Sequence, residues 1–246
     1  MGVQKPFGWR RRIGLISPTV IEMISYDFYR MAPPGIGMCG ITSNIEFWDK
    51  DNFSRALDNI LEASVYLSSR GVDFIVHCGM PLVTTRGKGF EDELVKKISE
   101  KTELPATTSI RSAIRALSHL GIKRVALASP YPQELHRSAK AFLEASGFEV
   151  VAEKTLDVPF KKLQDVLPEQ ICAFTRTLDL KSADGVYIPC NQWAGCDAAP
   201  LIELDTGLPV VTGGHADFWE AFRQIGVRDR IQGHGRLMAS LEGMSR

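Results

Sequence analysis

Two cysteines, Cys78 and Cys190, each stand just past a short apolar run. A thiol placed there can give up a proton, take one, or attack a carbon. Cys190 follows Ile188-Pro189 and precedes Asn191-Gln192-Trp193-Ala194-Gly195-Cys196, between a predicted buried strand and a predicted helix. Backbone N–H groups at a helix start favour the thiolate and offer sites for an anion. Cys78 follows Val76-His77 and precedes Gly79-Met80-Pro81. Gly79 permits positive φ or close backbone approach, which is useful where amides must hold a carboxylate. The competing reading of both thiols is burial in the core, as expected for Cys39, Cys172 and Cys196.

The two thiols sit in what reads as a duplication. Arg12-Ile13-Gly14-Leu15-Ile16-Ser17-Pro18 reappears 112 residues later as Arg124-Val125-Ala126-Leu127-Ala128-Ser129-Pro130. At the same offset, Val72-Asp73-Phe74-Ile75-Val76-His77-Cys78 matches Asp184-Gly185-Val186-Tyr187-Ile188-Pro189-Cys190. Leu104-Pro105 with Thr107-Thr108, and Leu208-Pro209 with Thr212, form a third pair. This register predicts one thiol at the end of the same strand in each half, and two sulfurs facing one cleft.

Metal chemistry is not indicated. Cys190 and Cys196 are six apart, no CxxC or HxxxH pair completes a site, and the histidines are scattered. His215, at a predicted helix start after Gly213-Gly214, is a candidate substrate contact or a capping residue. His119 and His136 read as helix-surface residues. The first strand is not followed by GxGxxG, and neither GxxxxGK[ST] nor GxSxG occurs. A mechanism with no cofactor and no metal is the simplest expectation.

The elements that must position these groups alternate short apolar runs with longer amphipathic ones, the pattern of a parallel sheet covered by helices. Strands are predicted near 12–17, 36–41, 72–78, 124–128, 148–152, 184–189 and 208–212. Helices are predicted near 51–70, 90–102, 109–120, 132–146, 160–179, 197–205 and 215–225. In the third helix Ile110, Ala113, Ile114, Leu117 and Leu120 make the apolar stripe, with Ser109 as the N-cap. The expected fold is α/β, with two pseudo-symmetric Rossmann-like (flavodoxin-like) lobes in one unit over 1–246. Lobe 1 takes about 12–105 plus a C-terminal helix at about 213–246, and lobe 2 takes about 106–212. In open α/β sheets ligands bind beyond the carboxyl ends of the strands. Ser17-Pro18, Cys78-Gly79, Ser129-Pro130-Tyr131, Cys190-Asn191 and Thr212 to His215 all lie at such ends, so these five segments are expected to converge on one cleft.

Composition narrows the partners. Basic and acidic residues balance at 29 each, which favours neither nucleic acid nor an anionic membrane. Apolar runs stay short of a membrane span, and Met1 to Pro6 lacks a signal-peptide core. Five cysteines without framework spacing point to free thiols in a reducing cytoplasm. The expected partner is a small carboxylic acid, and a homo-oligomer is compatible with the sequence.

With Pro18, Cys78-Gly79, Tyr131 and Cys190 in place, the chain resembles the aspartate/glutamate racemase superfamily. Its nearest likeness is to the branch of arylmalonate decarboxylase and maleate cis–trans isomerase. Asp27-Phe28-Tyr29-Arg30-Met31-Ala32-Pro33, Phe218-Trp219 and Gly233-His234-Gly235-Arg236-Leu237 carry the likeness further, over roughly 12–240. The resemblance implies cofactor-independent chemistry at the carbon beside a carboxylate, with Cys190 and Cys78 catalytic. Pro18, Thr19, Gly79, Met80, Pro81, Tyr131, Asn191, Gln192, Thr212 and His215 would bind substrate.

Two enzyme functions follow from it, and the two-lobe architecture alone adds a binding protein as a third. A decarboxylase would use Cys190 alone as proton donor; an isomerase or racemase would use two cysteines; a binding protein would use none. In the isomerases and racemases the first-half position is a cysteine, and in the decarboxylase it is a glycine. Aligned to those enzymes the position falls on Gly79, and aligned to the chain's own second half it falls on Cys78. The chain also departs from both enzymes. Met80-Pro81 replace Thr-Ser, Ile21 replaces the isomerase asparagine, Phe53 replaces a decarboxylase tyrosine, and Asn191-Gln192 replace two glycines.

Overall fold

The computed structural model describes residues 7–45 and 50–243. The expectations for Met1 to Pro6 lie outside these residues, and so does the side chain of Phe53. Two parallel four-stranded sheets form the frame. The first contains β1 (Arg11–Ser17), β2 (Ile36–Thr42), β3 (Phe74–His77) and β4 (Ala106–Thr108), in the order β2-β1-β3-β4. The second contains β5 (Arg124–Ser129), β6 (Glu149–Thr155), β7 (Gly185–Ile188) and β8 (Val210–Thr212), in the order β6-β5-β7-β8. Both follow the 2-1-3-4 order of flavodoxin-like sheets, as expected for an α/β fold of two such lobes. β3 and β7 are buried along their whole length, which is why they read as continuous apolar runs.

The helices are α1 (Glu22–Met31), α2 (Lys50–Asp58), α3 (Ile60–Ser69), α4 (Met80–Thr84), α5 (Phe90–Thr102) and α6 (Ser109–His119), followed by α7 (Gln133–Ala145), α8 (Pro168–Thr175), α9 (Gly195–Thr206), α10 (Gly213–Gln224) and α11 (Gly235–Ala239). Two long predicted helices are broken. The one at 51–70 divides at Asn59 into α2 and α3. The one at 160–179 becomes a 3-10 turn at Phe160–Asp165 and then α8. Pro168 explains the second break, because the residue before a proline is pushed out of the helical region. Leu167 is accordingly extended, at φ −73° and ψ 152°.

β4, α1, α4 and α11 were not predicted, and the C-terminal helix expected at about 213–246 ends at Gln224, with α11 a separate short helix. β4 pairs in parallel with β3, so the first sheet runs past the expected lobe boundary at residue 105/106. Thr108, not Ser109, caps α6, its side chain accepting from the Arg111 N–H. Thr212 caps α10 in the same way, accepting from the His215 N–H at 3.1 Å. α10 follows the second sheet in sequence but packs on α6 and against β3, so its side chains reach the first lobe's strand ends.

Each sheet carries the same polar latch. The Arg12 N–H donates to Asp73 Oδ2 at 2.7 Å, while the Asp73 N–H donates to the Arg12 carbonyl at 2.8 Å. In the second sheet the Arg124 N–H donates to Asp184 Oδ2 at 2.8 Å, and the Asp184 N–H donates to the Arg124 carbonyl at 2.7 Å. Arg12 and Arg124 are 112 residues apart, but Asp73 and Asp184 are 111 apart.

Candidate active site

The latches correct the duplicate register. With Asp73 matched to Asp184, Cys78 corresponds to Pro189, and Gly79 corresponds to Cys190. The ladders agree: Ile13 lies opposite Phe74 in the first sheet, and Val125 lies opposite Gly185 in the second. The backbone agrees as well, since Gly79 has φ +100° and Cys190 has φ +89°, both left-handed. A cysteine held there is strained by about 1–2 kcal/mol, a cost that glycine avoids. The two cysteines are therefore not at the same place in the two halves. One lobe offers a bare glycine where the other offers a thiol.

Both cysteines nevertheless line one cleft of about 480 Å3, counted to its open mouth. Of the residues expected there, Pro18, Thr19, Gly79, Met80, Pro81, Tyr131, Asn191 and Gln192 join them. Thr212 and His215 are not among the lining residues. Thr212 is spent on capping α10, and His215 is fully buried. Burial, with His234 nearby, pushes the His215 imidazole down to about 3, so it is neutral around pH 7. His136, expected on a surface, is also buried, its Nδ1 lying 2.8 Å from Ser129 Oγ.

The Cys190 sulfur is met by three donors: the Tyr131 hydroxyl and the backbone N–H groups of Gln192 and Trp193. All three favour the thiolate, but desolvation outweighs them and pushes the thiol up to about 11. At neutral pH the group is S–H. Gln192 ties the mouth together across the lobes: its Nε2 donates to Thr19 Oγ1 at 2.6 Å and also to the Val20 carbonyl. The rest of the wall is largely apolar, with Ile24, Met80, Pro81, Phe160 and Leu163. The Tyr187 hydroxyl donates to Met80 Sδ at 3.4 Å, fixing that side chain.

Cys78 stands at the floor, 1% exposed. Its sulfur lies 3.4 Å from Asn191 Nδ2 and 3.5 Å from Asp217 Oδ2. Burial and then the Asp217 charge push this thiol well above its ordinary range. Asp217 itself was not singled out in the sequence. Its Oδ2 accepts from Ser109 Oγ at 2.6 Å and from Asn191 Nδ2 at 2.7 Å. Burial pushes the Asp217 carboxyl up to about 6 against these donors, so it is mostly ionised at pH 7. Its signal was available: α10 starts at Gly213, and Asp217 lies one turn on, on the face that Gly213 presents to the cleft. A helix start at 215 instead turns attention to His215, two residues and about 200° around from Gly213.

Among the described residues no group of three or more His, Cys, Asp or Glu is placed to hold a metal ion. Among the same residues no helix is long and apolar enough to cross a membrane.

Comparison with known proteins finds relatives in sequence and in fold. The family model described as arylmalonate decarboxylase matches residues 13–238. The arylmalonate decarboxylase of Bordetella bronchiseptica is 26% identical over 238 residues, covering 92% of this chain and 95% of that protein. A maleate isomerase of Nocardia farcinica is 26% identical over 173 residues, 68% of this chain and 69% of that one. A mutant of the Nocardia farcinica maleate cis–trans isomerase, solved with a covalently bound succinylcysteine intermediate, superposes with a TM-score of 0.88 at 20% identity. That alignment covers 94% of this chain and 98% of the other, and at such identity the likeness is one of fold. With the family model spanning both sheets and the cleft between them, the chain belongs to the arylmalonate decarboxylase family.

Proposed function

We propose that the protein is a cofactor-independent decarboxylase of a small substituted malonate, with Cys190 as the proton donor. The observation that carries this reading is the pairing of Gly79 with Cys190 at equivalent left-handed positions, which leaves one thiol at the pseudo-symmetric site.

In this reading one carboxylate of the malonate leaves as CO2. The bond to the α-carbon breaks, and its electron pair stays behind as an enediolate. The apolar wall of Ile24, Met80, Phe160 and Leu163 suits a carboxylate that must be desolvated to leave. The Ser17 hydroxyl lines the same cleft and can donate to the carboxylate that stays. Cys190 then transfers its S–H proton to the α-carbon. As the sulfur becomes anionic, the Tyr131 hydroxyl and the two N–H groups already aimed at it stabilise the charge without rearranging. Solvent returns the proton to complete the cycle.

A neutral thiol serves this step better than addition to an alkene, which needs the thiolate. The isomerase or racemase reading keeps one supporting observation, the Cys78 sulfur on the cleft floor. The five cysteines are all unpaired, which supports the cytoplasm as the compartment.

Proton NMR in D2O with phenylmalonate, maleate and aspartate separates the readings. The expected result is CO2 loss from the malonate with one deuteron at the new C–H, abolished in Cys190→Ser and largely kept in Cys78→Ala. Isomerised maleate or α-deuterated aspartate, lost in both variants, would instead establish a two-thiol enzyme. Full activity in Cys190→Ser would overturn both.

A further inference from the structure

We propose that Asp217 is a positioning residue of the cleft, holding Asn191 and, through it, the left-handed Cys190. The proposal rests on Cys190 as the reacting group. Asp217 is fully buried, yet its Oδ2 gathers donors from three separate elements. Ser109 Oγ comes from α6 at 2.6 Å, Asn191 Nδ2 from the loop after β7 at 2.7 Å, and the Cys78 thiol from the end of β3 at 3.5 Å. Ser112, also on α6, faces it too. Short bonds from neutral donors to an ionised carboxylate are among the stronger hydrogen bonds a protein makes.

The arrangement decides which way Asn191 faces. A carboxylate only accepts, so the amide must turn Nδ2 towards Asp217, and its Oδ1 is then seated against Gly213. That seat has no room to spare. A Cβ on Gly213 would overlap Asn191 Oδ1 and come within 3.2 Å of the Cys190 backbone nitrogen. Asn191 is thus clamped between the first turn of α10 and its own hydrogen bond. Cys190 precedes it directly, in a conformation that an unsupported cysteine would leave. Gln192 and Trp193, whose N–H groups meet the Cys190 sulfur, follow in the same loop. Without the acceptor, Asn191 keeps only its long contact to the Cys78 sulfur, and the loop can relax out of the geometry that aims both N–H groups at the Cys190 sulfur.

The test compares Asp217→Ala with Asp217→Asn, which keeps an acceptor oxygen for Asn191. The first readout needs no substrate: the rate of Cys190 alkylation by iodoacetamide at pH 9, followed by peptide mass spectrometry. Asp217→Ala is expected to slow it about tenfold, as one unit of rise in the thiol pKa would. The same variant is expected to lower kcat on the malonate by about 100-fold with KM little changed, the scale of a misplaced reacting group. Asp217→Asn is expected to restore both to within about threefold, the scale of a single hydrogen bond. If no malonate is turned over by the parent, the proposed reaction fails and the alkylation rates alone decide on Asp217. A folded Asp217→Ala that alkylates at the parental rate overturns the proposal. Should that variant not fold, Ser109→Ala removes the shortest bond to Asp217 and takes its place. Slower alkylation of Cys190 supports the role, and an unchanged rate overturns it.

Discussion

Replacing Cys190 by glycine and by alanine should give two proteins ranked opposite to the usual order. Both lack the thiol, so both should lose turnover. At an ordinary position glycine is less stable than alanine by about 0.5–1 kcal/mol, because it has more backbone freedom to lose. At φ +89° a Cβ is strained, and the order should reverse, with glycine ahead by about 1 kcal/mol. The same substitution in the other lobe is harsher. An alanine Cβ at Gly79 would meet left-handed strain and also stand 2.9 Å from Pro18 Cγ and 3.1 Å from its Cδ, in a ring that cannot swing aside. Strain and overpacking together amount to about 3 kcal/mol. Urea unfolding followed by circular dichroism reads both effects. With a slope of about 3 kcal/mol per molar, the midpoint of Cys190→Gly should exceed that of Cys190→Ala by about 0.3 M, and Gly79→Ala should fall about 1 M below the parent. If Cys190→Ala proves as stable as Cys190→Gly, or Gly79→Ala unfolds with the parent, the left-handed equivalence of the two positions is refuted.

The other predictions concern pH and packing. Decarboxylation should hold steady above neutral pH and fall with a midpoint near 11 as Cys190 loses its proton, an alkaline limb visible in kcat. A midpoint near 8 would show a thiol far less buried than this one. Asp27 is buried, beside Cys196, and burial pushes its carboxyl up to about 7. A native value above the unfolded one stabilises the fold fully below about pH 4, an advantage lost as pH rises through 7. Asp27→Asn should therefore gain stability relative to the parent on going from pH 5 to pH 8, and equal differences at both would contradict it. Gly213→Ala should lose kcat even though alanine is favoured in a helix by about 1 kcal/mol, because its Cβ intrudes on Asn191 and the Cys190 backbone. Parental turnover with a raised Tm would show that the first turn of α10 does not clamp the loop.

Much of the cleft could be read from the sequence because strand ends announce themselves. Pro18, Tyr131 and Cys190 each follow an apolar run, and chain topology brings such ends together. The one-residue register could not be read from the runs themselves. Val, Ile and Leu slide past one another with little loss of likeness, so Val72 to Cys78 matched the second half as well as a correct alignment would. Asp73 and Asp184 were the better ruler, since each must meet a backbone N–H at one position only. Asp217 was hidden for a different reason. It is one of several polar residues of α10, beside His215, Glu220 and Arg223, and its three donors come from segments whose proximity only the fold creates. The break before Pro168 was legible in principle, and the predicted helix at 160–179 overran it.

The latches and ladders of each sheet are complete within that sheet, whereas the cleft floor is not complete until α10 lies on α6. As the chain is made, the first sheet and α6 emerge long before residue 217. Until then the Cys78 thiol and the Ser109 hydroxyl have no carboxylate to donate to. Competence therefore depends on α10, whose Asp217 joins Ser109 of α6 to Asn191 of the loop after β7.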